Sequence, residues 1–211
     1  PHQQGGTITR FNIFRGSLWA GLRYGGVYDY RNLNLCYGNL FVESAVTALN
    51  LTSYDSLSPE ALWIVNNTSV GMSSFLTAPG TPPANVVRNN IVSGTRFIYA
   101  SYNVDRVSDF LRTFSVIDSN LYHAYERFMF TEGSGDMRTT DFGRWQSTYN
   151  QDTSGFNGVD PRFADSLKYT LLANSPAIDS GLDVLSLLGQ GVNAPITLGC
   201  NFGSEYPGPR R

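Results

Sequence analysis

"VVRNNIVSG", residues 86–94, decides how this chain folds. Two asparagines separate two short runs of apolar, mostly β-branched residues, and a glycine closes the second run. Val and Ile favour extended backbone, whereas Asn tolerates the left-handed conformation and hydrogen-bonds locally. The stretch therefore reads as strand, bend, strand. Similar fragments recur: "ITRFNIFRG" (8–16), "YRNLNLCYG" (30–38), "TALNLTSYD" (47–55), "IVNNTSVG" (64–71) and "VIDSNLYH" (116–123). Together they align on Asn12, Asn34, Asn50, Asn67, Asn90 and Asn120, at intervals of 22, 16, 17, 23 and 30 residues, about 22 on average.

Two apolar columns flank the shared asparagine. Ile13, Leu35, Leu51, Thr68, Ile91 and Leu121 follow it directly, and Ile8, Tyr30, Val46, Trp63, Val86 and Val116 stand four places before it. A five-residue separation breaks the alternation of a continuous strand, so the bend belongs at the asparagine. Amides stacked coil on coil can also bond one another in a ladder. This pattern predicts an all-β fold, a right-handed parallel β-helix with a turn-rich C-terminal cap. Residues 1–132 are read as its coils, and 133–211 as a C-terminal coil and capping segment of the same domain.

Bulk composition agrees with one folded domain: 211 residues, 41% hydrophobic and 15% charged. A net charge of -2 provides no basic field, so no nucleic acid is expected, and no apolar run approaches the length that membrane insertion needs. The opening "PHQQGG" lacks both Met and a signal-like apolar run, and reads as a processed product or a piece of something longer. Only "PHQQGGT" precedes the first coil, too little for a cap. The expected partner there is an upstream β-helix, or another copy associating through the open N-terminal coil. Cys36 and Cys200 fall on an early coil and in the tail, and would form a disulfide only if the tail ran back along the stack.

The C-terminal third carries "RWQSTYNQDTSGFNGVDPRF" and "YTLLANSPAIDSG". With the Asn-rich coils, these resemble secreted or surface-bound right-handed parallel β-helix proteins of the pectate-lyase-like group. The matching residues are Asp160, Pro161, Phe163, Ser175, Pro176, Ala177, Ile178, Asp179 and Gly181, over a resemblance that covers residues 85–185 best. The group's closing strand is replaced here by "ITLGCNFGSEYPGPRR". The resemblance implies an extracellular, cell-surface or virion location and a carbohydrate-facing role, with a polysaccharide as the expected partner. It does not choose between binding and catalysis. The Asp-Pro and Ser-Pro pairs read as turns, and Phe163, Leu171, Leu172 and Ile178 as apolar plugs for the last coil.

The first reading is a binding or scaffolding module of a larger or multimeric surface or fibre protein. The alternative is a polysaccharide lyase or glycoside hydrolase with a groove at residues 105–127, where a 30-residue interval signals an inserted loop. Its candidate catalytic residues are Asp105, Arg106, Asp109 and Glu126. Candidate ligand contacts are Arg88, Asp118, Tyr122, His123 and Arg127, with aromatic rings available to stack on sugars. Arg88 and Asp118 also fit a structural ion pair across adjacent coils, and Asp109 with Arg112 an ordinary surface pair. A third reading is a structural subunit stacking end to end into a filament. Glu43 and Glu60 share a column that would suit calcium, but a solvated acidic edge accounts for them, so no cofactor is expected. The sequons at Asn50, Asn66 and Asn67 occur at the frequency chance predicts, and two of them fall on the bend.

Overall fold

In a computed structural model, the repeats wind into a parallel β-solenoid. The structure describes residues 2–3, 8–25, 34–44, 46–52, 62–78, 85–101, 106–131, 137–138 and 141–183. Asp105, Glu60, Tyr30 and Cys200 lie outside the described residues. After a short strand β1 (His2–Gln3), the first coil consists of β2 (Ile8–Arg10), β3 (Ile13–Arg15) and β4 (Ala20–Gly25). The second has β5 (Asn34–Tyr37), β6 (Leu40–Val42) and β7 (Thr47–Thr52), and the third β8 (Leu62–Val65), β9 (Thr68–Val70) and β10 (Ser74–Thr77). The fourth has β11 (Asn85–Arg88), β12 (Ile91–Ser93) and β13 (Phe97–Ser101). A helix α1 (Val107–Leu111) leads into the fifth, β14 (Phe114–Asp118), β15 (Leu121–His123) and β16 (Arg127–Thr131). Then come β17 (Met137–Arg138), helix α2 (Phe142–Tyr149) and β18 (Phe156–Asn157).

Equivalent strands pair in parallel into three sheets, β2-β5-β8-β11-β14, β3-β6-β9-β12-β15-β18 and β1-β4-β7-β10-β13-β16-β17; only β17 joins its neighbour antiparallel. Like side chains thereby stack on like. The first sheet sends Cys36, Ile64, Val87 and Ile117 inward, the second Phe14, Phe41, Val92 and Tyr122, and the third Leu22, Leu49, Leu76, Tyr99 and Met129. Burying each such side chain stabilises the stack by about 1.5–3 kcal/mol.

The corner between the first and second sheets holds the asparagines, with a correction to their register. The ladder is Asn12, Asn39, Asn67, Asn90 and Asn120, at intervals of 27, 28, 23 and 30 residues. Asn34 instead opens β5, and Asn50 lies within β7. The bend also sits one place earlier than expected. Phe11, Gly38, Asn66, Asn89 and Ser119 take the left-handed conformation, with φ of 53°, 61°, 53°, 54° and 57°. The ladder residue itself is thereby released to use its amide along the stack. A second left-handed column, Gly16, Glu43, Gly71, Gly94 and Ala124, falls four residues after each ladder asparagine and turns β3, β6, β9, β12 and β15 toward the third sheet. Asn66 and Asn67 are buried, which removes both sequons from solvent.

The segment after β18 is a strap, not a plug. Val159, Phe163, Leu171 and the buried Ala177 pack on Ile91 and Leu121, on the outer side of the second sheet. Residues 162–172 form a small hairpin closed by the Phe163–Leu171 bridge, and its tip reaches back to the first coil, where Arg15 donates to the Leu167 carbonyl at 3.0 Å. Leu167 and Leu172 are 71% and 44% exposed, so neither fills the end of the stack. Asp165 organises the tip: the Thr170 hydroxyl and the amides of Lys168 and Leu167 bond it and hold its carboxyl at about 2. Asp160 accepts from the Arg162 amide, and Ser175 donates to the Pro161 carbonyl while accepting from the Ala177 amide. Pro176 and Asp179 lie in one turn, with Asp179 left-handed, and Gly181 in the bend after it. The chain then clips to the fourth coil, where the Asn89 side chain and the Leu182 backbone exchange bonds of 2.7 and 2.9 Å.

Candidate functional site

The expected groove residues occupy separate corners. Arg106 and Asp109 belong to α1, which follows β13 and seats Val107 and Phe110 in the core; Asp109 lies 4.0 Å from Arg112 in an exposed pair. Glu126 pairs with Arg96 at 3.5 Å, and Arg127 lies beside Phe97 at the opposite end of β13. β13, a five-residue strand about 15 Å long, runs between the two corners. Tyr122 is 0% exposed and unavailable for stacking on a sugar. His123 meets Ser93 through Nδ1 at 3.1 Å. Arg88 and Asp118 are in register on adjacent coils, but the expected ion pair is not formed: Asp118 accepts from the Ser154 amide at 2.9 Å, and Arg88 Nε is buried without a hydrogen-bond partner.

What the fold does bring together is the end of the ladder. Each asparagine donates its backbone amide and its Nδ2 to Oδ1 of the next one, at 2.9–3.1 Å from Asn12 through Asn120. The next ladder position, opposite Asn120, is Gly155, whose missing Cβ would lie 3.0 Å from the Asn120 carbonyl oxygen and from Asp152 Cβ. Asp152 reaches into that vacated space from three residues upstream, with φ of 49°. Its Oδ1 accepts from Asn120 N and Nδ2 at 3.2 and 2.8 Å, and its Oδ2 from Tyr122 Oη and Trp145 Nε1 at 2.7 and 3.1 Å. Tyr99 extends the chain through a 2.7 Å contact with Tyr122. Burial raises the Asp152 carboxyl to about 6, opposed by the hydrogen bonds from Tyr122, Asn120 and Trp145. Burial also lifts Tyr99 and Tyr122 well above the usual phenol range, with the Asp152 charge adding to the effect.

An ionised carboxylate accepts only, so Asp152 dictates the orientation of every amide above it. Asn120 must present Nδ2 to Asp152, which turns its Oδ1 toward Asn90, and the constraint passes down to Asn12. This polar cluster is sealed, and its chemistry is structural.

The surface feature with binding chemistry lies on the outside of the third sheet. Arg23, Asn50, Thr77, Ala100 and Phe130 are neighbours in register, turned from the core by alternation with Leu22, Leu49, Leu76, Tyr99 and Met129. The first three and Phe130 are partly exposed. Phe130 packs on Phe97 at 5.1 Å between centroids, and the Arg96 guanidinium lies 5.0 Å from the Phe97 ring. Arg23 Nε donates to Thr52 Oγ1 at 3.3 Å, which extends the polar row sideways.

No family model, curated protein or solved structure matches this chain. The site therefore rests on its own geometry. The residue reading missed the row because Asn50 was placed in the ladder. A usable signal was present: Leu22-Arg23, Leu49-Asn50 and Leu76-Thr77 recur at intervals of 27 residues, an inward leucine followed each time by an outward polar residue. Among the described residues, no group of three or more His, Cys, Asp or Glu is placed to hold a metal ion, and no helix is long and apolar enough to cross a membrane.

Proposed function

We propose that the chain is an extracellular, carbohydrate-facing β-helix module that binds or scaffolds, as part of a larger or multimeric surface or fibre protein. The observation that carries this reading is the outward row Arg23, Asn50, Thr77 and Phe130. A guanidinium, an amide and a hydroxyl repeat about 4.8 Å apart along a rigid sheet and end at an aromatic surface. Such a row matches a hydroxyl-rich polymer, which takes many directed hydrogen bonds and offers apolar ring faces to aromatics. The low net charge fits a sparsely charged partner better than a polyanion. The resemblance of the Asp160–Gly181 segment to surface β-helix proteins points the same way. Titration calorimetry against neutral and acidic polysaccharides tests the reading. Binding to at least one, weakened tenfold or more in Arg23→Ala/Asn50→Ala with an unchanged thermal midpoint, is expected. Equal binding by the double variant overturns the assignment of this row.

A further inference from the structure

The two ends of the ladder differ in hydrogen-bond polarity. Because Asp152 orients every amide, Asn12 gives both its N–H and its Nδ2 to Asn39, and its Oδ1 is left facing away from the stack. Within the stack, each Oδ1 receives the two donors of the preceding coil, so Asn12 is an acceptor with no coil before it among the described residues. Around it, β2 and β3 end their sheets, and β1 covers only the third, pairing His2 and Gln3 with Arg23 and Tyr24. Ile8 and Ile13 are 49% and 44% exposed, against 1% and 2% for Leu35 and Leu40, their register partners one coil along. Leu18 and Trp19, between β3 and β4 of the same coil, are 84% and 80% exposed.

We infer that this N-terminal face is a docking surface for one further parallel β-coil carrying an asparagine at the ladder position, supplied by the uncapped C-terminal side of another β-helical segment. Polarity selects that occupant over a second copy of this chain. Two copies meeting face to face by a two-fold axis would oppose Asn12 Oδ1 to Asn12 Oδ1, acceptor against acceptor. A copy arriving head to tail would offer an end built on Asp152, a side chain with no donor when ionised, under Trp145 and Phe142 of α2. An asparagine coil supplies the missing backbone N–H and Nδ2, and an apolar edge to cover Ile8 and Ile13. This inference rests on the ladder alone and stands apart from the glycan reading.

The probe is this chain's own third coil, residues 62–84, fused ahead of Ile8 in place of residues 1–7 of the full chain. Hydrogen exchange of the Ile8–Arg15 amides is expected to slow at least tenfold. The same fusion with Asn67→Asp in the copied coil should lose most of that protection, since the acid brings no side-chain donor. Equal protection from both fusions, or none from the asparagine version, overturns the inference. Sedimentation of the unmodified chain gives a second test that needs no fusion. A monomer across the micromolar range agrees with the polarity argument, and a dimer abolished by Ile13→Glu overturns it.

Discussion

Among the described residues, the C-terminal end of the stack is closed and the N-terminal end is open, although both belong to the same repeat. At the closed end, α2 lays the fully buried Trp145 across Tyr99, with rings 5.4 Å apart and 17° from parallel. Asp152 there collects the last ladder donors from a position out of register with them. At the open end, Asn12 and Trp19 of the first coil are both solvent-exposed. The difference shows that continuing a solenoid and ending it take different chemistry. Continuation needs only a residue that both donates and accepts, whereas termination needs an acceptor-only group and an apolar cover. Parallel coils without such an ending keep an open template for pairing.

The largest effect that would test this contrast comes from Trp145→Ala. It removes a ring at 0% exposure that also packs on Phe128 at 5.0 Å, and it takes one donor from Asp152 Oδ2. A loss of about 3–5 kcal/mol is expected in urea unfolding, against less than about 0.5 kcal/mol for Trp19→Ala. Equal losses at the two tryptophans would erase the distinction between the ends.

Asp152→Asn sharpens the same contrast at a smaller scale. The amide accepts on one side only and turns an NH2 toward Trp145 Nε1–H, leaving donors opposed at a cost of about 1–3 kcal/mol at neutral pH. The pH dependence identifies the cause. Asp152 titrates at about 6 in the folded chain, above its ordinary value of 3.8, so the folded state holds the proton more tightly than the unfolded one. Its contribution to stability is fully present below pH 3.8 and is lost as pH rises through about 6. The wild type should therefore lose stability from pH 4 to 7 through this group, and Asp152→Asn should remove that slope. Denaturation midpoints taken at intervals across this range measure the difference; an unchanged slope would assign it to other groups.

The architecture was legible because stacking forces repetition, and repetition survives in the residue types. Asn12, Asn67, Asn90 and Asn120 stand out because each sits between apolar runs and all four are followed four places later by the left-handed glycine or alanine of the second corner. Asn39 was missed for a physical reason. Asn34 and Asn50, on either side of it, stand next to apolar residues and imitate the pattern from within strands, which draws the alignment away from Asn39. The terminator was harder still. Gly155 holds the ladder position and Asp152 fills it from elsewhere, a substitution in space that periodicity cannot register. The segment 159–181 was readable as turns from its Asp-Pro and Ser-Pro pairs, but its path along the second sheet depends on tertiary contacts with Ile91 and Leu121. The groove at 105–127 looked dense because sequence places residues in a line, whereas the coil distributes them around its corners.

A smaller effect than that of Asp152→Asn is expected at the ladder's first member. Asn12→Ala removes the Nδ2 donor to Asn39 Oδ1 and the bond to the Arg10 carbonyl, both at an exposed position where water replaces them, and leaves the backbone donor in place. Asn39 Oδ1 then keeps the backbone donor of residue 12 and gains access to solvent in place of the lost Nδ2. The cost should be no more than about 0.5–1 kcal/mol, near the net value of one exposed hydrogen bond. Asn67→Ala removes the same side-chain atoms inside the stack, where Asn39 N and Nδ2 lose their acceptor and the Asn90 Oδ1 loses the Nδ2 donor while keeping the backbone one, all at 0% exposure. About 1–3 kcal/mol is expected there, because buried groups left without partners carry their full desolvation penalty. The ratio of the two losses in chemical denaturation is the informative quantity. If Asn12→Ala proved as costly as Asn67→Ala, the first coil would already be covered in solution, and the open end would have its occupant.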